Sequence, residues 1–101
     1  MTTTDYEQWV ESRCQPYTDI NYCIIALNEE AGEVAGWYKK HTLRGNPLGN
    51  KTHDDLKGEL GDVLFYLTRL AAHHGWSLSD VMEHNKAKIE ERVKKGMKII
   101  A

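Results

Sequence analysis

The stretch ELGDVLFYL, residues 59–67, places two carboxylates three residues apart inside one of the most apolar parts of the chain. A similar stretch, LNEEAGEV, lies upstream at residues 27–34. An isolated buried carboxylate costs on the order of several kcal/mol, so it normally shifts its pKa, finds a partner or binds a cation. Two such stretches in one chain therefore indicate a shared purpose.

Both stretches lie in segments whose apolar residues recur every three or four positions, which is the period of a helix with one buried face. We predict one helix from Asp19 to about Thr42, and another that follows a cap at Thr52 or Asp54 and ends with Gly75 in the C′ position. The intervening LRGNPLGNK, residues 43–51, is rich in turn formers and is predicted to be a loop. The two apolar stripes are predicted to be buried and comprise Ile24, Leu27, Ala31, Val34 and Tyr38, then Leu56, Leu60, Val63, Leu64, Leu67 and Ala71.

Two shorter helices are predicted on either side of this pair. Thr4 and Glu7 resemble a capping box for a helix over about residues 5–14, which Gln15-Pro16 interrupts. Ser77 or Ser79 can begin the last helix, whose packing positions are Val81, Met82, Ile89 and Val93. No segment alternates with the period of two that is typical of a strand. The sequence therefore predicts an all-α fold with one helical domain over residues 1–101.

The length, net charge and cysteine content of the chain limit the classes of partner and the cellular compartment that we expect for it. A chain of 101 residues has a core that is small for its surface, so a partner subunit would stabilise it. The formal net charge of −2 argues against a nucleic-acid or anionic-membrane partner, which requires a basic face. Cys14 and Cys23 form no disulfide or zinc pattern, which indicates free thiols in a reducing cytoplasm. We find no signal-peptide pattern and no run of roughly 20 apolar residues, so we expect a cytoplasmic protein without a membrane segment.

The four carboxylates of the two stretches are expected to meet where their helices pack. At about 100° per residue, Glu30 and Glu33 flank the stripe of their helix, and Glu59 and Asp62 flank the other. If the helices are antiparallel, these acidic edges face each other and repel strongly unless a cation binds. Mg²⁺ and Mn²⁺ prefer oxygen ligands of this kind. The paired motifs therefore predict a metal site, although a single ExxE motif is usually a solvated flank.

Three neighbouring residues bear on that site. Glu29 lies on the more exposed side of its helix, where it can act outside the ligand set or as a base toward water. Gly32 and Gly61 each lie between the two carboxylates of a motif. Because a glycine in mid-helix costs roughly 0.5 to 1 kcal/mol relative to alanine, both indicate close backbone approach or room for a ligand.

In this order, the motifs resemble those of the MazG-like members of the all-α nucleoside triphosphate pyrophosphohydrolases. EExxE is present at residues 29–33, ExxD at 59–62, and HNKAKIEER at 84–92 is similar to the family's Asn, Lys and Arg pattern. The resemblance covers roughly residues 24–96, with a single motif set, unlike the longer tandem members. It implies a helical fold that forms a homodimer or a dimer of dimers, with helices of both subunits building a four-helix bundle around each active site.

The resemblance also implies a reaction and the residues that perform it. Members of the family cleave a nucleoside triphosphate between the α and β phosphates and release a monophosphate and pyrophosphate. Trp37 is a candidate for stacking on the base, although aromatic residues at helical spacing more often belong to a core or a dimer interface. The loop over 43–53 matches no pattern that indicates a substrate class, so the preferred nucleotide base is left open. Carried over by motif, the Mg²⁺ ligands, with Mn²⁺ as a substitute, are Glu30, Glu33, Glu59 and Asp62, and the substrate contacts are Asn85, Lys88 and Arg92.

Several alternatives are weaker. Without the resemblance, the charged segment 84–95 is better explained as a solvated helix face. His53-Asp54 is similar to the HD pair of another class of metal phosphohydrolase, but it lies where a helix cap is expected. A di-iron bundle requires Glu-x-x-His motifs, which this chain lacks. The alternative from another class is a helical dimer that binds a nucleotide or a partner protein without turnover, and the complete set of motif carboxylates favours the enzyme.

Overall fold

The computed structural model describes residues 1–14, 19–47 and 50–96, apart from the side chains at 50 and 51. The predicted break at Gln15-Pro16 and residues 48 and 49 of the predicted loop lie outside the described residues. Over the described ranges the chain forms helices and turns and no strand, which confirms the all-α prediction. Among the described helices, none has the combination of length and hydropathy that a membrane span requires. The elements are α1 (Thr3–Arg13), α2 (Ile20–Tyr38), a π-helical turn (Lys39–Leu43), α3 (Asn50–His73) and α4 (Leu78–Lys94).

Capping boxes set the N-terminal ends of α4 and α1. The Ser77 hydroxyl accepts a hydrogen bond from the Asp80 amide at 3.0 Å, and the Asp80 carboxylate accepts one from the Ser77 amide at 2.9 Å. Of the two predicted starts, Ser77 and Ser79, the structure uses Ser77. The capping box of α1 lies at Thr2 and Asp5, so the prediction that placed it at Thr4 is wrong. Both threonines precede an acidic residue by three positions, and the pattern alone does not choose between them.

The third helix begins earlier than predicted. Its first residue is Asn50, so Thr52 and Asp54 lie inside α3 and do not cap it. Asn, Thr and Asp favour helix N-termini as well as turns, so this polar segment is compatible with the start of a helix as well as with a loop. The predicted loop is correspondingly shorter.

The helical path of α2 continues through the π-helical turn as far as Leu43, in agreement with the predicted end near Thr42. The π geometry itself was not predicted. In this turn the Arg44 amide donates to the Lys39 carbonyl oxygen at 3.0 Å, a bond that spans five residues instead of four. Such wide turns are rare and occur frequently at functional sites.

A short joint connects α3 to α4. Gly75 has a φ of +76°, a left-handed conformation that glycine adopts without strain, and it occupies the predicted C′ position. The Trp76 amide donates to the Ala71 carbonyl and the Gly75 amide to the Ala72 carbonyl, each at 3.0 Å. These two bonds define a Schellman motif, which ends α3 and turns the chain toward α4.

The two longest helices, α2 and α3, pack against each other in antiparallel directions. Near the end of α2, the Trp37 indole N–H donates to the Thr52 carbonyl at the start of α3, at 2.9 Å. Near the start of α2, the ring of Tyr22 lies 6.2 Å from that of Tyr66, late in α3. This register brings the middle of each helix, where the acidic motifs lie, opposite the other.

The remaining helices pack around one end of this pair. Val10 of α1 is almost fully buried, and the Trp9 ring meets Phe65 of α3 edge-on at 5.8 Å. The Glu7 carboxylate accepts a hydrogen bond from the Leu78 amide at 3.3 Å, which links α1 to the first residue of α4. Among the described residues α4 contacts α1 and α3 and not α2. The buried residues of the described chain are Val10, Cys23, Thr68, Ala71 and Leu78.

The described residues cover the predicted apolar stripes only in part. Ile24, Tyr38 and Leu60 remain 49%, 50% and 53% exposed, so the prediction that their stripes are buried does not hold within one chain. The radius of gyration is 16.3 Å, whereas a compact domain of this length has about 13 Å. The accessible surface of 7926 Å² likewise exceeds the roughly 5,800 Å² of a compact monomer of this mass. The apolar pattern was interpreted correctly as helical, but the described residues do not bury it fully.

Candidate active site

Three carboxylates converge at the middle of the α2–α3 pair. One carboxylate oxygen from each of Glu30, Glu59 and Asp62 lies within 4.8 Å of the others. Glu30 and Glu59 are partly buried and Asp62 is exposed, so the cluster opens to solvent on one side. The antiparallel register explains the cluster, because it places Glu30 of α2 opposite Glu59 and Asp62 of α3.

The other two acidic candidates lie next to this cluster. Glu33 is not among the three carboxylates within 4.8 Å of one another, but it lines a groove together with Glu59 and Asp62. Glu29 is exposed and belongs neither to the cluster nor to the described lining of the groove. The structure thus brings three of the four predicted ligands together and places Glu33 on the adjoining wall.

The groove runs between α2, its π-helical turn and the first half of α3, and has a volume of about 430 Å³. Gly36 lies on one wall and Gly58 on the other, and a Cβ added at either would meet no atom within 4 Å. Neither glycine is tightly packed, and their lack of side chains keeps the groove wide. The lining residues are Glu33, Gly36, Trp37, Lys40, His41, Asp54, Asp55, Gly58, Glu59 and Asp62.

The electrostatics of the cluster oppose full ionisation. The pKa of the Glu30 carboxyl is raised above its usual value, first by burial and then by the negative charges of Asp62, Glu59, Glu29 and Glu33. Three carboxylates that repel one another when they are ionised are a favourable donor set for a divalent cation. Oxygen atoms within 4.8 Å of one another can reach one ion after small side-chain rotations, because Mg²⁺–oxygen bonds are about 2.1 Å long. The donor set therefore fits Mg²⁺ or Mn²⁺.

The raised pKa of the Glu30 carboxyl contributes to the stability of the metal-free protein in acid. The folded state binds a proton at Glu30 more tightly than the unfolded chain, whose glutamate has a pKa near 4.5. The free energy of unfolding should therefore fall as pH rises from that value through the raised pKa. Thermal melts in EDTA across this window would show the slope, which Glu30→Gln should flatten and Mg²⁺ should offset. The same slope in Glu30→Gln would contradict this assignment.

Two phenols near the cluster were not among the predicted site residues. Burial and a hydrogen bond with Tyr22 raise the pKa of Tyr66 to about 12, with a further contribution from the Glu30 charge. Burial also raises the pKa of Tyr6, and the charge of Asp62 contributes to this shift. Both phenols are therefore neutral at physiological pH and add no negative charge beside the carboxylates. Tyr66 follows ExxD by one turn, but nothing in the sequence connects Tyr6 of α1 with Asp62.

The environment of Trp37 limits its predicted role. Its indole N–H is bonded to the Thr52 carbonyl, and its ring lies 4.8 Å from His41 and 6.1 Å from His53. Trp37 lines the groove, but neighbouring side chains already hold its ring in place. Trp37 therefore packs against its own chain, in line with the structural alternative weighed in the sequence analysis. Its stacking on a base stays a prediction.

The predicted substrate contacts of α4 lie away from the carboxylates within one chain. Asn85 and Lys88 line a second groove, of about 470 Å³, together with Trp76 and His84. Arg92, one turn beyond Lys88, is partly buried and is not part of that lining. Because α4 does not contact α2 in the described residues, the chain by itself does not bring Asn85, Lys88 and Arg92 to the acidic cluster.

Comparison with known proteins agrees with this geometry. A family model for the MazG nucleotide pyrophosphohydrolase domain matches residues 20–97, which include α2, α3 and α4. The chain belongs to the MazG nucleotide pyrophosphohydrolase family, which confirms the resemblance drawn from its acidic motifs. Among curated proteins, the Gene 37 protein of Mycobacterium phage L5 is 35% identical over 86 residues, covering 83% of this chain and 75% of the phage protein. No solved structure gives a significant match.

Proposed function

We propose that this protein hydrolyses ribo- or deoxyribonucleoside triphosphates to the monophosphate and pyrophosphate in a Mg²⁺-dependent reaction. The observation that carries the proposal is the convergence of Glu30, Glu59 and Asp62 in a chain of the MazG family. The groove of about 430 Å³ that begins at two of these carboxylates is large enough to hold part of a nucleotide.

The carboxylates have distinct positions in this proposal. Glu30, Glu59 and Asp62 would hold the cation, with Glu33 joining them from the groove wall. Mg²⁺ bound there would neutralise charge on the phosphate oxygens and lower the pKa of a water molecule. Glu29, exposed beside Glu30, would lie outside the ligand set, where it can orient that water or accept its proton. The phosphorus–oxygen bond between the α and β phosphates breaks as water adds to phosphorus, so no protein nucleophile is required.

We further propose that a second copy of the chain completes the site. The phosphate-binding residues expected on α4 do not reach the acidic cluster of their own chain, and the apolar stripes of α2 and α3 remain half-exposed. The excess of roughly 2,000 Å² over a compact monomer is of the size that obligate dimers bury. A homodimer, or a dimer of dimers, would cover these stripes and bring Asn85, Lys88 and Arg92 of one copy to the carboxylates of the other.

Product analysis tests the reaction directly. The purified protein would be incubated with a panel of ribo- and deoxyribonucleoside triphosphates and Mg²⁺ or Mn²⁺, and the products separated by ion-exchange chromatography. Equal amounts of monophosphate and pyrophosphate, lost in Glu33→Gln, are expected, and the rates would rank the bases. Diphosphate and orthophosphate would instead indicate cleavage at the β–γ linkage. No turnover across the panel would favour the alternative, a nucleotide-binding or protein-interaction dimer on the same fold.

A further inference from the structure

The groove beside the carboxylate cluster contains a cation that lies outside the acidic and α4 motifs. Lys40 lines it opposite Asp54 and Asp55, while Glu59 and Asp62 line it nearer the cluster. Among the described residues, the two ion pairs within 4.0 Å are Lys86–Glu90 and Lys95–Glu91, so Lys40 has no carboxylate partner at that distance. Its ammonium group is therefore available to a ligand in the groove.

The π-helical turn fixes the place of Lys40. The α2 side of the groove is lined at helical spacing by Glu33, Trp37, Lys40 and His41, and the last two lie within the π-helical turn. The Lys40 carbonyl accepts a hydrogen bond from the Asn46 amide at 3.1 Å, which holds the backbone at this point. The side chain of Lys40 is exposed, so an anchored backbone presents a free cation.

Space and hydrogen-bonding capacity both remain beside Lys40. Gly36 and Gly58 leave the groove open between Lys40 and the cluster, since a side chain at either position would project into unfilled space. His41, the next residue, lines the same wall, and its buried Nδ1 has no partner among the described residues. Buried polar atoms without a protein partner normally bond to water or to a ligand.

We propose that Lys40 binds the phosphate chain of the substrate at the end of the groove away from the cluster. This inference rests on the proposed function, because it names a substrate contact within the same site. A nucleoside triphosphate is an anion, and carboxylates line the whole groove. A cation held by Glu30, Glu59 and Asp62 offsets that repulsion at one end only. Lys40 supplies the positive charge at the other end, beside Asp54 and Asp55.

The test compares Lys40→Gln with Lys39→Gln, a matched change at the neighbouring exposed lysine, which does not line the groove. Two quantities would be measured with Mg²⁺: the KM for the triphosphate that is turned over best, and the Kd of its analogue with a methylene group between the α and β phosphates, by calorimetry. Lys40→Gln is expected to raise both about tenfold or more, because a hydrogen bond to a charged group is lost. Lys39→Gln should match the wild type, and Lys40→Arg should retain most of the affinity.

The analogue binds without being cleaved, so its Kd separates this inference from the proposed function. Lys40-dependent binding in a wild type that cleaves no triphosphate would sustain the inference and overturn the function. Normal KM and Kd in Lys40→Gln, with an active wild type, would overturn the inference alone. So would tighter Mg²⁺ binding as the only change in Lys40→Gln, since Lys40 would then be a counter-ion of the carboxylates. Failure of the analogue to bind the wild type would also overturn it.

Discussion

Asp62→Asn is expected to lower kcat at least about a hundredfold, because even residues that only support metal ligands cost about 10- to 100-fold when removed. The substitution preserves size and removes one of the three charges that lie within 4.8 Å of one another. Asp62 is exposed, so the asparagine buries no unsatisfied group and the fold should be retained. Relief of repulsion with Glu30 should leave the melting temperature of the metal-free protein unchanged or higher.

Steady-state kinetics, circular dichroism and Mg²⁺ titration of the same preparation would check this result. Glu59→Gln should behave like Asp62→Asn, and Glu83→Gln, a matched change at an exposed glutamate of α4 outside both grooves, should behave like the wild type. Full activity with unchanged Mg²⁺ affinity in Asp62→Asn would remove this cluster as the metal site. Loss of activity together with loss of helix content would leave Glu59→Gln to decide the question.

Mixing two inactive variants is expected to restore activity if α4 of one copy serves the carboxylates of the other. In a dimer of Asp62→Asn with Lys88→Ala, one site combines both defects and the second combines an intact acidic cluster with an intact α4. Each mixed dimer has one intact site of two, so the purified mixed dimer should have roughly half of the wild-type activity. The variants would be co-expressed with different tags, and the doubly tagged species purified and assayed.

The control for this experiment is a mixture of Asp62→Asn with Glu59→Gln. Every site in that mixture contains a damaged acidic cluster, whichever subunit supplies α4, so no activity should return. An inactive mixed dimer of Asp62→Asn and Lys88→Ala would mean that the acidic cluster and Lys88 do not work across the subunit boundary. The single-chain arrangement, in which they lie in separate grooves, would then need a different explanation.

The features predicted correctly from sequence are those that short-range physics determines. Helical periodicity identified the four helices, and the start at Ser77 and the end at Gly75 followed from hydrogen bonds made within a few residues. The acidic cluster was also predictable, because motifs at equivalent places on two antiparallel helices come opposite each other. Where two equivalent signals compete, as at Thr2 and Thr4, local pattern was insufficient.

The features missed from sequence depend on register and on assembly. Lys40 lies in the π-helical turn that follows α2, where no motif marks it, and it becomes a groove residue through the antiparallel packing of α2 on α3. Tyr6 comes near Asp62 through the docking of α1, which no motif encodes. The stripes at Ile24 and Leu60 have the pattern of a core and yet stay half-exposed, because no element in the described part of the chain covers them.

The joint at Gly75 fixes the orientation of α4 relative to α3 within the monomer. Its angle to α3 is defined by the Schellman bonds and by the Ser77 capping box, all of them local, while α4 makes few contacts with the rest of its own chain. Fixing one residue's backbone costs about 1–2 kcal/mol in conformational entropy, and folding of the monomer already meets that cost at the joint. In the proposed dimer, α4 would therefore already have its orientation before the subunits associate. Ordering of α4 would then add no further entropy cost to association.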